Sequence, residues 1–86
     1  MKCIKLSHGT IFVEHDNVTV RITKDGKCEL SPIMFSVLEW DLRTENPDSW
    51  WYLYESDIRA MDNNVYQQVV NIVNDFYLAI GQESPK

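Results

Sequence analysis

Four side chains in this sequence could do soft chemistry: Cys3, His8, His15 and Cys28. A metal needs three or four converging ligands, and these four fall at neither a C-x-x-C nor an H-x-x-x-H spacing. His8 beside Gly9 and His15 beside Asp16 read more simply as turn residues. Nucleophilic catalysis needs a serine or cysteine held by a base, and there is no G-x-S-x-G and no motif around either cysteine. With three glycines in the chain, none is available for a loop that cradles phosphates. The remaining chemistry is that of carboxylates beside aromatic rings. Glycosidases use that pairing, but they work in deep clefts, which a two-layer domain of 86 residues can hardly provide. The sequence is therefore expected to encode no enzyme, no metal site and no cofactor.

The carboxylates and rings are concentrated in residues 39–62. Glu39, Asp41, Glu45, Asp48, Glu55, Asp57 and Asp62 stand there against Arg43 and Arg59, a balance of −5 that equals the net charge of the whole chain. All three tryptophans, Trp40, Trp50 and Trp51, lie in the same stretch with Tyr52 and Tyr54. Large apolar side chains clustered among acids point to a surface built for contact. A pI near 4.8 disfavours nucleic acid, whose phosphates need a basic face, and suits a basic protein partner. In such a contact Trp50, Trp51, Tyr52 and Tyr54 supply the buried anchors. Asp41, Glu45, Asp48, Glu55 and Asp57 supply the polar rim and the steering.

The elements that must position these residues divide the chain in two. Its length sets one domain, residues 1–86, with an adequate but marginal core. Hydrophobic content of 44% with 24% charge places it among folded chains rather than disordered ones. Strands are expected within residues 2–54. Ile4 and Leu6 alternate with Cys3 and Lys5; Ile11 and Val13 oppose Phe12; Val18, Val20 and Ile22 oppose Thr19, Arg21 and Thr23. Asp16-Asn17 and Asp25-Gly26 mark hairpin turns between them, and Ser31-Pro32 interrupts a short strand at residues 28–30. Residues 33–40 read as a strand apolar on both sides, with Met34, Ser36, Leu38 and Trp40 opposing Phe35, Val37 and Glu39. Residues 41–49 read as a polar loop, and residues 50–54 as a second two-sided strand.

The carboxyl-terminal part is helical, over about residues 62–80. Val65, Val69, Ile72, Val73, Phe76 and Ile80 repeat at steps of three and four, flanked by Tyr66 and Tyr77. Asp62, Asn63 or Asn64 can cap its start and Gly81 can end it. Ile58 and Met61 are in phase with the stripe, which allows a start as early as Ser56 or Asp57. Residues 82–86 read as a frayed tail. The fold class expected is α+β: an antiparallel β-meander of about five strands with one C-terminal amphipathic helix packed on one face. The helix turns Gln67, Gln68, Asn71, Asn74 and Asp75 outward, a set of amides that can be a solvated face or a contact face.

One helix covers one face, so the later strands carry a surplus of rings. Either side of residues 50–54 left open shows Trp50, Tyr52 and Tyr54 or Trp51 and Leu53. At ~150–250 Å² a ring, that exceeds the patch of a few hundred Å² usual for a monomer. The sheet can curl over itself, the face can be a homodimer seam, or it can dock a different partner.

Cys3 and Cys28 are too few for a disulfide framework. They are two thiols in a reducing compartment, or one bridge if their strands are neighbours. No signal peptide and no membrane span is evident, so the expected location is cytoplasmic. The run His-Gly-Thr-Ile-Phe-Val-Glu-His-Asp-Asn-Val-Thr-Val-Arg-Ile at residues 8–22, followed by Trp40-Asp41 and a closing amphipathic helix, resembles in layout the small acidic immunity proteins that bacteria make against polymorphic secreted toxins. The resemblance implies a cytoplasmic, non-enzymatic protein that masks the active cleft of a toxin domain, often a basic nuclease; it assigns no binding residue. The sequence thus points to a protein-protein interaction module for a basic partner, with a toxin-neutralising immunity or regulatory protein as its expected form. The alternative is a homodimeric small-ligand-binding or structural protein of the kind found on bacterial mobile elements.

Overall fold

A computed structural model describes residues 1–45 and 47–81, with Asn63 described by its backbone alone. Its chain forms β1 (Lys2–Leu6), β2 (Ile11–His15), β3 (Val18–Ile22), β4 (Cys28–Leu30), α1 (Phe35–Glu45), β5 (Trp50–Leu53), α2 (Glu55–Arg59), a 3₁₀ turn (Asp62–Asn64) and α3 (Val65–Ala79). The α+β class, the five-stranded antiparallel sheet and the C-terminal helix on it follow the sequence pattern. Asp16 and Asn17 take the left-handed conformation at the β2–β3 turn, with φ of 48° and 67°. Polar side chains that tolerate that region are what a two-residue hairpin needs. Gly81, at φ 73°, follows α3 as the sequence predicts.

The strand order β4-β3-β2-β1-β5 departs from a simple meander. The first four strands succeed one another, and β5 then returns beside β1 on the opposite edge. That return requires a crossover, and α1 is the crossover. Residues 33–40 are therefore not a strand, and residues 41–45 are not loop but the last turns of the same helix. Phe35, Leu38 and Leu42 are its buried residues, spaced i, i+3, i+7. Because Val37 and Trp40 are apolar as well, the segment also satisfies a two-residue period, and the two periods compete. The helix wins because Phe35, Leu38 and Leu42 can reach the sheet face that the C-terminal helix leaves bare. Thr19 fixes the starting point, its Oγ1 accepting a hydrogen bond of 3.0 Å from the backbone N–H of Phe35.

Both faces of the sheet are thus covered, but at opposite ends. On one face Cys3, Ile11, Val13, Val18, Val20 and Ile22 pack with Ile58, Val65, Val69, Val73 and Tyr77, and α3 lies over β4, β3 and β2. On the other, Ile4 and Phe12 pack with Phe35, Leu38 and Leu42, joined by Leu6 and Trp50. Where α1 does not reach, β3 and β4 show Arg21 and Glu29. The Arg21 guanidinium hydrogen-bonds Glu29 and holds its carboxyl below the usual range.

The C-terminal region is not one continuous helix. Asn64, with φ 52°, breaks the path into α3, so Ile58 reaches the core from the separate α2. The buried stripe is Val65, Val69, Val73 and Tyr77; Tyr77 is inside, its hydroxyl donating to the carbonyl of Asp16 at 2.5 Å, while Ile80 is exposed. Cys3 and Cys28 are free thiols. Their strands are three spacings apart, roughly 14 Å, beyond the reach of a disulfide. Residues 82–86, read as a tail, lie outside the described residues.

Candidate interaction surface

The C-terminal end of α1 and the strand β5 form one unit. Trp50 and Tyr52 point to the α1 face, being paired with Leu6 and Ile4, and their rings meet edge-to-face at 5.0 Å. The Trp50 indole N–H donates to the carbonyl of Leu42 at 3.2 Å, one of the four carbonyls that a helix end leaves open. Arg43 lies 5.9 Å from both ring centroids and donates to the Tyr52 hydroxyl at 2.5 Å, and that hydroxyl donates to Glu39. The Tyr52 bond and then the Glu39 charge raise the affinity of Arg43 for its proton. This network, with its cation over two rings, positions β5 against the helix.

The expected anchors therefore separate. Trp50 is half-buried and structural in its contacts. Tyr52 is 48% exposed, and Trp51, on the opposite side of the strand, is 47% exposed because α3 does not extend over β5. Tyr54 lies beyond the strand, before α2, and is 80% exposed. Two residues outside the expected set are more open than most of it: Trp40 at 67% and Met34 at 69%. For Trp40 the signal is the helical spacing of Phe35, Leu38 and Leu42, which turns Val37 and Trp40 to solvent; Met34 lies just before the helix.

The acids separate too. Asp57 accepts a hydrogen bond of 2.8 Å from the backbone N–H of Tyr54, fixing the start of α2 as an N3 carboxylate does. Glu55 faces the Met1 amino group at 3.9 Å and Arg59 at 3.2 Å. Asp41, Glu45 and Asp48 are exposed and, among the described residues, make no ion pair. Along the sequence, Asp48 precedes β5 and Glu55 and Asp57 follow it, so carboxylates stand at both ends of the strand.

Two shallow, largely apolar grooves lie elsewhere. A groove of about 390 Å³ between β4 and α3 is lined by Cys28, Leu30, Ile72 and Phe76 among others. A second, of about 210 Å³, adjoins it through Leu30 and Phe76 and reaches Ile33 and Met34. Among the described residues no group of three His, Cys, Asp or Glu side chains could hold a metal ion. His8 shares a hydrogen bond with Thr10 at 3.1 Å, and His15 lies 3.7 Å from Asp16. Among the described residues no helix is long and apolar enough to cross a membrane. Compared with protein-family models, curated proteins and solved structures, the chain matches none.

Proposed function

We propose that this chain is a non-enzymatic protein-binding module that engages a basic protein through the surface formed by α1, β5 and the start of α2. The observation that supports the reading is that α1, β5 and their flanks carry exposed rings together with exposed acids that make no ion pair among the described residues: Trp40, Asp41 and Glu45 on α1, Asp48 before β5, Tyr52 on the α1 side of the strand, Trp51 on its other side and Tyr54 beyond it. Rings of this size give most binding energy per residue buried, and uncompensated acids raise the encounter rate with a basic partner. Neutralising a basic toxin domain is one role such a module fills, as the layout resemblance suggests.

The test is a triple reversal, Asp41→Lys, Glu45→Lys and Asp48→Lys, which leaves the core untouched. A partner captured by the unaltered protein is expected to be basic, and to associate with the variant about ten- to a thousandfold more slowly at low salt. An association rate equal for the two proteins and indifferent to salt refutes the steering role. A second reading, self-association, draws support from the strip of Leu30, Ile33, Met34 and Val37, all exposed along β4 and the start of α1. Sedimentation across a dilution series separates it, since only self-association makes mass depend on the concentration of the chain alone.

A further inference from the structure

The hydrogen-bond phase of the sheet shows how a partner would engage β5. Ser7 N–H donates to the Ser49 carbonyl at 2.8 Å, and Leu6 N–H donates across to Thr10 at 2.8 Å. With Lys5 opposite Trp51 and Cys3 opposite Leu53, the alternation of an antiparallel ladder directs the backbone groups of Trp51 and Leu53 to β1. Those of Trp50 and Tyr52 point the other way, toward an edge with which no element of the described residues pairs.

Sheets ordinarily protect such edges with charge, proline or brevity. The opposite edge is so protected: β4 has three residues, carries Glu29 at its centre and is followed by Ser31-Pro32. β5 is nearly as short, at four residues, and Pro47-Asp48 precede it, but its own residues, Trp-Trp-Tyr-Leu, carry no charge and no proline. From this uncharged edge we infer that β5 receives an extended basic segment of the partner as a sixth strand, its main chain bonding to Trp50 and Tyr52 and its cations meeting Asp48 and Asp57 at the strand's ends. The inference deepens the reading above and rests on it.

Charge selects this occupant over a second copy. Two β5 strands related by a two-fold axis pair antiparallel, which sets Asp48 of each copy near Asp57 of the other; Glu55 is already compensated by Arg59 and the Met1 amino group. Like charges so placed oppose the pairing, whereas lysines or arginines flanking a partner's strand satisfy both ends at once. The mode is strand addition, in which main-chain bonds give affinity and flanking side chains give specificity.

The experiment uses the whole chain with a synthetic peptide of about seven alternating lysines and valines, a length typical of a strand, and follows amide hydrogen exchange and tryptophan emission. At saturation the Trp50 and Tyr52 amides are expected to exchange about tenfold or more slowly, while Trp51 and Leu53, already bonded to β1, change little. The same peptide N-methylated on alternate residues keeps its charge and is expected to lose both binding and protection. If emission reports binding that salt weakens, but Trp50 and Tyr52 stay unprotected and N-methylation has no effect, strand addition is overturned and the acidic-aromatic reading stands. Absence of any binding overturns both. Protection of the two amides that rises with protein concentration alone assigns the edge to a second copy and likewise overturns the inference.

Discussion

The two faces of the sheet are closed by helices of different character. α3 buries Val65, Val69, Val73 and Tyr77 and turns Gln67, Asn71 and Asp75 to solvent, with an amide bond of 3.0 Å from Gln67 to Asn71. α1 buries Phe35, Leu38 and Leu42 yet leaves Val37 and Trp40 exposed on its far side. Apart from Leu78 in its last turn, 76% exposed, α3 puts its large apolar residues inside or half-inside, and folding accounts for them. α1 keeps Val37 and a tryptophan outside along its length, surface that folding does not explain, and the acids that make no ion pair among the described residues are on or near that helix. The contrast separates a face that serves the core from the face to which the proposed function assigns contact.

The comparison breaks first if α1 is only a loose cover. Phe35 is among the largest fully buried side chains on its face, as Ile58 is on the other. Phe35→Ala is expected to cost about 3–5 kcal/mol and Ile58→Ala about 2–5 kcal/mol, from lost burial plus the cavity left behind. Both are measured as shifts in the urea midpoint at constant slope. A cost below about 1 kcal/mol for Phe35→Ala would mean that α1 lies outside the cooperative core.

Next in size is a pH effect belonging to the α3 side alone. Burial, opposed by the nearby amino terminus and aided by Glu55 and Asp57, pushes the Cys3 thiol from 9.0 up to about 11. Below the lower value the thiol is neutral whether the chain is folded or not, and stability is independent of it. Between the two only the unfolded chain releases the proton, so stability falls as pH rises, by a total of about 2–3 kcal/mol. Cys3→Ala should remove that part of the slope between about pH 9 and 11. If the slopes of the two proteins coincide, the α3-side core around Cys3 is wetter than its packing indicates.

Sequence legibility followed how many periods a segment satisfies. Val18, Val20 and Ile22 fit only a two-residue repeat, and Val65, Val69 and Val73 only a helical one, so both were readable. Residues 33–40 fit either, because Val37 and Trp40 fill the positions that a polar residue would otherwise mark. The choice was made by β5 returning to the far edge beside β1, a non-local pairing that no window on the sequence contains. The surface inherited that ambiguity. Its acids and rings were visible as a cluster, but the division of Trp50 from Trp51 and the exposure of Trp40 depend on which face α1 covers. Likewise, Asp57 gave no sign in the sequence that its carboxylate is used by the Tyr54 N–H.

The smallest predicted effect tests that division directly on one helix. Leu38 and Trp40 are two residues apart, the first 8% exposed and the second open to solvent. Alanine suits a helix interior at least as well as either residue, so truncation reads packing rather than propensity. Leu38→Ala is expected to cost about 2–5 kcal/mol, whereas Trp40→Ala should stay within about 0.5 kcal/mol and remove a solvent-exposed, red-shifted component from the emission spectrum. If Trp40→Ala costs as much as Leu38→Ala, the ring is packed and the apolar surplus on α1 belongs to the fold. If it costs nothing yet weakens capture of a basic partner, the same ring is free in the isolated chain and buried in the complex, which is the property the contrast between the two helices assigns to it.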